Sequence, residues 1–206
     1  MTSLPVLSDT PLCHPNCCLN LSTRLLETLK HLFRNDSSRR KEPPSGLVLS
    51  VGCGSGLLAS LLHSYLTAPQ EDDDPMTTMR VEGAEVATAA PTTMMSYLPE
   101  DRTNTVAGTW ALCRRAEDAA ALMFVYPRSV DLVQRYVDAL FGRGRKVRTV
   151  VWLGPQADWE VFRPALEGRQ HESSSSEVRL TIREGSDCGI GAYEMMAVLQ
   201  VAKPTL

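Results

Sequence analysis

No uninterrupted apolar run in this sequence approaches the roughly 18–20 residues that a membrane-spanning helix needs, which removes a helical membrane protein from consideration. The first 23 residues contain no lysine or arginine. That is a poor match to the basic leader of a secretory signal and to an arginine-rich presequence, so a cytoplasmic or nuclear location is expected. Charge of one sign is also lacking. A net charge of −3 gives no general nucleic-acid or membrane footprint, although a nucleic acid can still enter a local pocket. Six cysteines in 206 residues are too few and too scattered for a disulfide scaffold. Four histidines, at 14, 31, 63 and 171, offer no spacing that nominates a catalytic base. Cys13, His14, Cys17 and Cys18 do cluster, but a four-coordinate zinc site draws on a second ligand pair and none follows, so no metal is expected.

What remains is an ordinary globular composition, 43% apolar and 22% charged, in a chain long enough to bury a core. Pro5, Pro11 and Pro15 make residues 1–18 an extended lead-in. From Leu19 to Phe33, leucines at 21, 25, 29 and 32 recur at helical spacing and predict an amphipathic helix. A polar, proline-bearing run over 35–45 reads as a linker. It divides the chain into an N-terminal extension, 1–45, and a main domain, 46–206.

Within that domain the patterns alternate. Strands are expected at 47–51, 80–86, 105–109, 119–125 and 146–153, and helices at 57–66, 130–141 and 158–167. Ser129 is placed to cap the second of these helices, and Gly142 and Gly144 to stop it. The stretch 87–100 fits a short helix followed by a loop. Surface loops are expected at the acidic run 71–74 and the serine run 173–176. Residues 177–183 and 193–201 most simply form an antiparallel pair. Strands alternating with helices, then a terminal hairpin, predict an α/β layered sheet.

The most informative segment is Val48-Leu49-Ser50-Val51-Gly52-Cys53-Gly54-Ser55-Gly56. A buried strand feeding a Gly-x-Gly-x-Gly turn and then a helix lets backbone come close to a nucleotide, because glycines at 52 and 54 carry no Cβ to block it. A dinucleotide fingerprint would put its third glycine at Leu57, and a P-loop would follow with lysine. Neither spacing fits.

The turn resembles motif I of the class I S-adenosylmethionine-dependent methyltransferases. Further features follow in that family's order: Glu85 at the end of the second strand, Gly108-Thr109 at the end of the third, Tyr126-Pro127-Arg128 at the end of the fourth, and the terminal hairpin. The resemblance covers roughly Leu19 to Leu206. It implies a Rossmann-like three-layer sandwich whose mostly parallel seven-stranded sheet ends in an antiparallel C-terminal hairpin. It also implies S-adenosylmethionine as cofactor, held by Ser50, Gly52, Cys53, Gly54, Ser55, Gly56, Glu85, Thr109 and Trp110. Glu85 would take the ribose hydroxyls in preference to Glu82, and Trp110 would flank the adenine unless it merely packs. Tyr126 and Arg128 are the candidates for the transfer site; alternatively Tyr126 packs and Arg128 pairs with a carboxylate.

The sequence departs from the family at three places. Ser50 and Thr109 stand where acidic or polar contacts are common, and the fourth strand end lacks Asn/Asp-Pro-Pro-Tyr/Phe. The last departure argues against adenine-N6 or glutamine methylation. The acceptor stays open among small molecule, protein and RNA. Two rival functions also remain: a non-catalytic methyltransferase-like scaffold that binds a protein partner, and, more weakly, an NAD-dependent oxidoreductase.

Overall fold

A computed structural model describes residues 2–35, 46–68, 79–87, 95–142, 144–172 and 178–201. A small antiparallel hairpin, β1 (Leu12–His14) and β2 (Cys17–Leu21), precedes helix α1 (Thr23–Asn35). Then β3 (Gly46–Val51), α2 (Leu57–Thr67), β4 (Met79–Val86), β5 (Thr103–Val106) and β6 (Ala119–Val125) follow. The chain continues through α3 (Val130–Leu140), β7 (Thr149–Pro155), α4 (Trp159–Glu172), β8 (Val178–Glu184), the short α5 (Gly185–Cys188) and β9 (Glu194–Val201).

Seven strands form one sheet in the order β5-β4-β3-β6-β7-β9-β8. The first five run parallel, and β9 inserts antiparallel between β7 and β8. All six residues of β3 are buried, as expected of a central parallel strand covered on both faces. Its side chains alternate between two cores. Val48 joins Leu25, Leu29 and Phe33 of α1 and Leu58 and Leu62 of α2. Leu47 and Leu49 join Val133 and Val137 of α3 and Phe162 and Leu166 of α4. The result is the three-layer α/β sandwich that the strand–helix alternation predicts, and the C-terminal antiparallel pair is present in it. Both edges are less buried: β5 keeps only four residues, and β8 alternates half-buried and exposed positions.

Several boundaries move, each for a local reason. The lead-in is not merely extended, since residues 12–21 pair as a hairpin. The amphipathic helix begins at Thr23 rather than Leu19, because Leu19 and Leu21 point inward as alternating residues of β2. Ser22 starts the helix: its Oγ accepts from the Leu25 N–H at 3.1 Å and donates to the Gly189 carbonyl at 2.6 Å. The third sheet strand spans 103–106, not 105–109. Gly108 accepts a turn bond from the Ala111 N–H, and the Trp110 ring lies where a Cβ on Gly108 would meet it at 2.3 Å. The strand expected from Lys146 begins at Thr149, after a turn bond from Arg145 N–H to the Gly142 carbonyl. Helix α4 starts one residue later than expected and runs to Glu172, past Pro164 in its interior. The cap is where the sequence puts it: Ser129 Oγ accepts from the Leu132 N–H at 3.2 Å. The expected loops at 71–74 and 173–176, the run 36–45 and residues 88–94 lie outside the described residues.

Candidate functional site

The parallel strands β3, β4 and β6 end at one side of the sheet, and the chain reversals that follow them build the site. After Val51 the backbone enters the left-handed region at Gly52 (φ +69°), Gly54 (+56°) and Gly56 (+76°). Any other residue would cost about 1–2 kcal/mol at each. The turn is tied to β4: the Gly52 and Cys53 N–H groups donate to the Ala84 carbonyl at 2.9 and 3.3 Å. Glu85, at the tip of β4, completes the join by accepting from the Gly54 N–H (2.9 Å) on one oxygen and the Val86 N–H (2.9 Å) on the other. Each carboxylate oxygen keeps a lone pair for a further donor.

The remaining turn residues are fixed by packing. The Cys53 thiol sits against Gly83, where a Cβ would come within 2.5 Å of the sulfur. Burial, and then the Glu85 charge, push that thiol up to about 12, so it is neutral and unreactive. Gly56 opens α2, and a Cβ on it would lie 2.8 Å from the Leu98 side chain.

The N-terminal hairpin leans over this turn. Ser55 Oγ donates to the Asn16 carbonyl at 2.6 Å, and the Asn16 amide donates to Tyr97 Oη at 2.8 Å. Farther along β2, the Asn20 N–H donates to Glu194, and its side chain donates to Tyr193 Oη at 3.0 Å. Glu194 is completely buried, and three elements meet on it. Besides Asn20 N–H at 3.1 Å, its carboxylate accepts from the Gly191 N–H at 2.6 Å and from Tyr126 Oη at 2.7 Å. This group was invisible to motif reasoning, because nothing in Tyr193-Glu194-Met195 distinguishes it from a strand-start carboxylate.

Tyr126 follows β6 with φ +48°, a conformation that a bulky residue adopts only when its surroundings dictate it. Its N–H donates to the Leu153 carbonyl at 2.7 Å and its hydroxyl to Glu194, so both ends are held. Burial, and then the bond and charge of Glu194, raise its hydroxyl pKa well above the usual tyrosine value.

These pieces enclose a cavity of about 370 Å³, within the range of small-molecule sites. Of the residues nominated from sequence, Ser50, Gly52, Cys53, Gly54, Ser55, Glu85, Thr109, Tyr126 and Arg128 line it together. Gly56 and Trp110 do not: Gly56 turns the chain behind the loop, and Trp110 is 68% exposed over Gly108. Asn16, Cys17 and Cys18 form an unforeseen wall, and Leu132 of α3 another. An apolar slot of about 50 Å³ adjoins the cavity beside Glu85, between Val86, Val106, Thr109 and Leu132. On the other side a second cavity, about 410 Å³, shares Cys18, Tyr126, Pro127 and Arg128 and continues to Asp158, Val161 and Phe162. Among the described residues no three His, Cys, Asp or Glu side chains are placed to hold a metal ion, the Cys13–Cys18 segment included.

No protein-family model and no curated protein matches the chain by sequence. Its fold does match solved structures. Human methyltransferase 10 domain containing protein aligns over 89% of this chain and 85% of its own, with a TM-score of 0.56 at 10% identity. The plantazolicin methyltransferase BpumL, solved with a triazolic desmethylPZN analog and SAH, aligns over 88% and 85% with a TM-score of 0.55, also at 10% identity. The METTL16 MTase domain covers 89% of this chain and 70% of its own, at a TM-score of 0.52 and 12% identity. Strand order, the antiparallel insertion of β9 and these alignments lead to one conclusion: the chain has the fold of the class I S-adenosylmethionine-dependent methyltransferases.

Proposed function

We propose that this protein binds S-adenosylmethionine in the 370 Å³ cavity and directs its methyl group to an acceptor at the β6 tip. The observation that carries the reading is the joint between Glu85 and the glycine turn. A carboxylate with spare lone pairs stands at the mouth of an apolar slot, beside two glycines whose missing side chains leave open space. A Cβ on Gly52 or Gly54 would meet no protein atom within 4 Å, although both residues line the cavity. Glu85 offers acceptors for ribose hydroxyls, and Val86, Val106 and Leu132 beside it offer an apolar surface for one edge of a flat base. Two of the solved neighbours named above are methyltransferase proteins by name, and BpumL was solved with SAH.

When bound, S-adenosylmethionine supplies an already activated methyl group, so the chain's task is alignment. Tyr126 and Pro127 line both cavities and form the boundary between them, and the hairpin residues Cys17 and Cys18 line the first from the N-terminal side. Calorimetry with S-adenosylmethionine and S-adenosylhomocysteine tests the proposal; no heat at millimolar ligand sinks it. The spacing of the turn disfavours NAD, and a melting shift with NAD but not S-adenosylhomocysteine would reverse that preference.

One observation favours a second reading, a binding protein without turnover: both Glu85 oxygens already accept backbone N–H groups. It predicts a co-purifying protein partner and no transfer of tritiated methyl to any cell fraction. Among the described residues no helix is long and apolar enough to cross a membrane. Our reading places the protein in the cytoplasm or nucleus, which imaging of a tagged chain tests.

A further inference from the structure

The second cavity and the few unengaged proton acceptors around the first together narrow the acceptor. This argument rests on the donor site proposed above. Consider first which groups near the β6 tip can remove a proton. Tyr126 donates its hydroxyl to Glu194, and Glu194 is sealed from both cavities by that bond and by two backbone N–H groups. Glu85 is engaged at the far, ribose end. Burial holds the thiols of Cys17 and Cys53 neutral. Among the described residues no histidine lines either cavity. That leaves Cys18, which lines both cavities, and Asp158, which lines only the outer one, as the unengaged proton acceptors among the described residues; an acceptor that arrives already deprotonated needs neither.

Now consider the charges that are free. Arg128 lines both cavities, and Asp158 lines only the outer one. Both are exposed, and among the described residues neither takes part in an ion pair or a side-chain hydrogen bond. The same outer cavity is lined by the apolar side chains of Pro127, Phe162 and Val161, the last 61% exposed. A lone guanidinium at the inner end matches one carboxylate and is ill-suited to the repeated phosphates of a nucleic acid.

We propose that the acceptor is a small amphoteric molecule whose carboxylate, held by Arg128 at the boundary of the two cavities, is the methylated group, while its cationic end faces Asp158 and its apolar body lies on Val161 and Phe162. A carboxylate, with a pKa near ~4, arrives deprotonated and needs no base. A carboxylate oxygen forms the new O–CH3 bond as the donor's S–CH3 bond breaks, and that bonding pair returns to sulfur. The anion becomes a neutral methyl ester and the sulfonium becomes a neutral thioether, with no proton transferred. Joining opposite charges inside a partly desolvated cleft favours the step.

Binding and transfer test this separately. S-adenosylhomocysteine is titrated first; if it does not bind, the donor reading fails and the acceptor question does not arise. With the donor site saturated, L-phenylalanine is compared with phenylalaninamide, which lacks the carboxylate, and 3-phenylpropionate, which lacks the amine. L-phenylalanine should bind at least about tenfold tighter than either, the scale of one charge-assisted contact. Arg128→Gln should erase its advantage over the amide, and Asp158→Asn its advantage over the propionate. Arg128 also borders the donor cavity, so S-adenosylhomocysteine affinity is measured on both variants and the three probes are compared at donor saturation for each. In the second arm, tritiated S-adenosylmethionine is incubated with protein and whole-cell extract. Label should enter the small-molecule fraction and leave as volatile methanol on mild alkali. The proposal is overturned if S-adenosylhomocysteine binds and none of the three probes does, if the charge variants keep the full selectivity, or if the label is alkali-stable, sits in RNA or protein, or does not transfer.

Discussion

Replacing Glu194 probes the joint on which the candidate site is assembled. The carboxylate is fully buried and takes hydrogen bonds from Asn20 N–H, Gly191 N–H and Tyr126 Oη. Glu194→Ala strands these donors together. Each buried N–H left without an acceptor costs about 1–3 kcal/mol, whereas the Tyr126 hydroxyl borders a cavity and regains water. Adding the lost side-chain packing, the expected destabilisation is about 3–5 kcal/mol. At roughly 2–4 °C per kcal/mol for a chain of this size, the melting midpoint should fall by about 10 °C. Glu194→Gln keeps the shape and one acceptor oxygen. Its amide meets either Gly191 or Tyr126, and only the tyrosine hydroxyl can reverse to accept. That variant should lose about 1–2 kcal/mol, and Tyr126→Phe a similar amount. Because the two share one bond, the double variant should be less than additive. The assay is thermal and urea unfolding of the four variants, with S-adenosylhomocysteine affinity measured on each. If Glu194→Ala melts within about 2 °C of the parent chain, the carboxylate does not hold the hairpin, β6 and β9 together and the reasoning is wrong.

Four further outcomes follow from the same geometry. Gly54→Ala should cost about 1–2 kcal/mol of stability from its φ of +56° and, by filling the cavity's glycine edge, weaken S-adenosylhomocysteine at least about tenfold by calorimetry. Glu85→Ala should weaken the same ligand by more than about tenfold while moving the melting midpoint little, since the Gly54 N–H lines an open cavity and can be hydrated; equal affinity would contradict the ribose role. Glu82 lies buried beneath Arg115 and Arg80, with Asn104 beside it. Burial opposes its ionisation, but the bonds from Arg115 and Asn104 and the two positive charges outweigh that and hold its pKa below the ordinary 4.5. Its stabilisation is therefore complete above pH 4.5 and is lost as pH falls through the lower folded value. Urea midpoints should drop on acidification, less steeply in Glu82→Gln, and an unchanged slope would refute the assignment. Asn16→Ala removes one bond between the hairpin and Tyr97, so stopped-flow release of S-adenosylhomocysteine should accelerate with little change in melting.

The donor half of this site was legible because its requirements are local. A strand that must stop, glycines that must take positive φ and an acidic residue at the next strand tip all leave marks within a few positions of one another. Ser50 to Ser55 and Glu85 accordingly meet around one cavity. The two misplaced residues show the limits of order along the chain. Gly56 belongs to the motif but serves helix entry, and Trp110 follows Thr109 yet turns outward because Gly108 leaves room for its ring. The hairpin was missed because each of its strands is three to five residues long and prolines dominate the stretch. The two strands pair with each other, but the hairpin is anchored by long-range partners, Glu194 and Tyr97, that no window of sequence contains.

The acceptor half is a different case, because its chemistry is defined by what its groups are already doing. Tyr126 reads from sequence as a candidate for the transfer site, or alternatively as a packing residue. In the fold its hydroxyl is committed to Glu194, 68 positions away, and its backbone is locked by Leu153. The same bond that disqualifies Tyr126 as a free base makes it a rigid boundary between the two cavities, which is the alignment that the proposed methyl transfer would require. Its loss should therefore appear in the two cavities unequally. If Tyr126→Phe left donor affinity intact while abolishing discrimination between an acid and its amide at Arg128, the ring would be insufficient and the hydroxyl anchor would be what positions the neighbouring guanidinium. If discrimination survived, Pro127 and the backbone bond to Leu153 suffice to hold Arg128 in place.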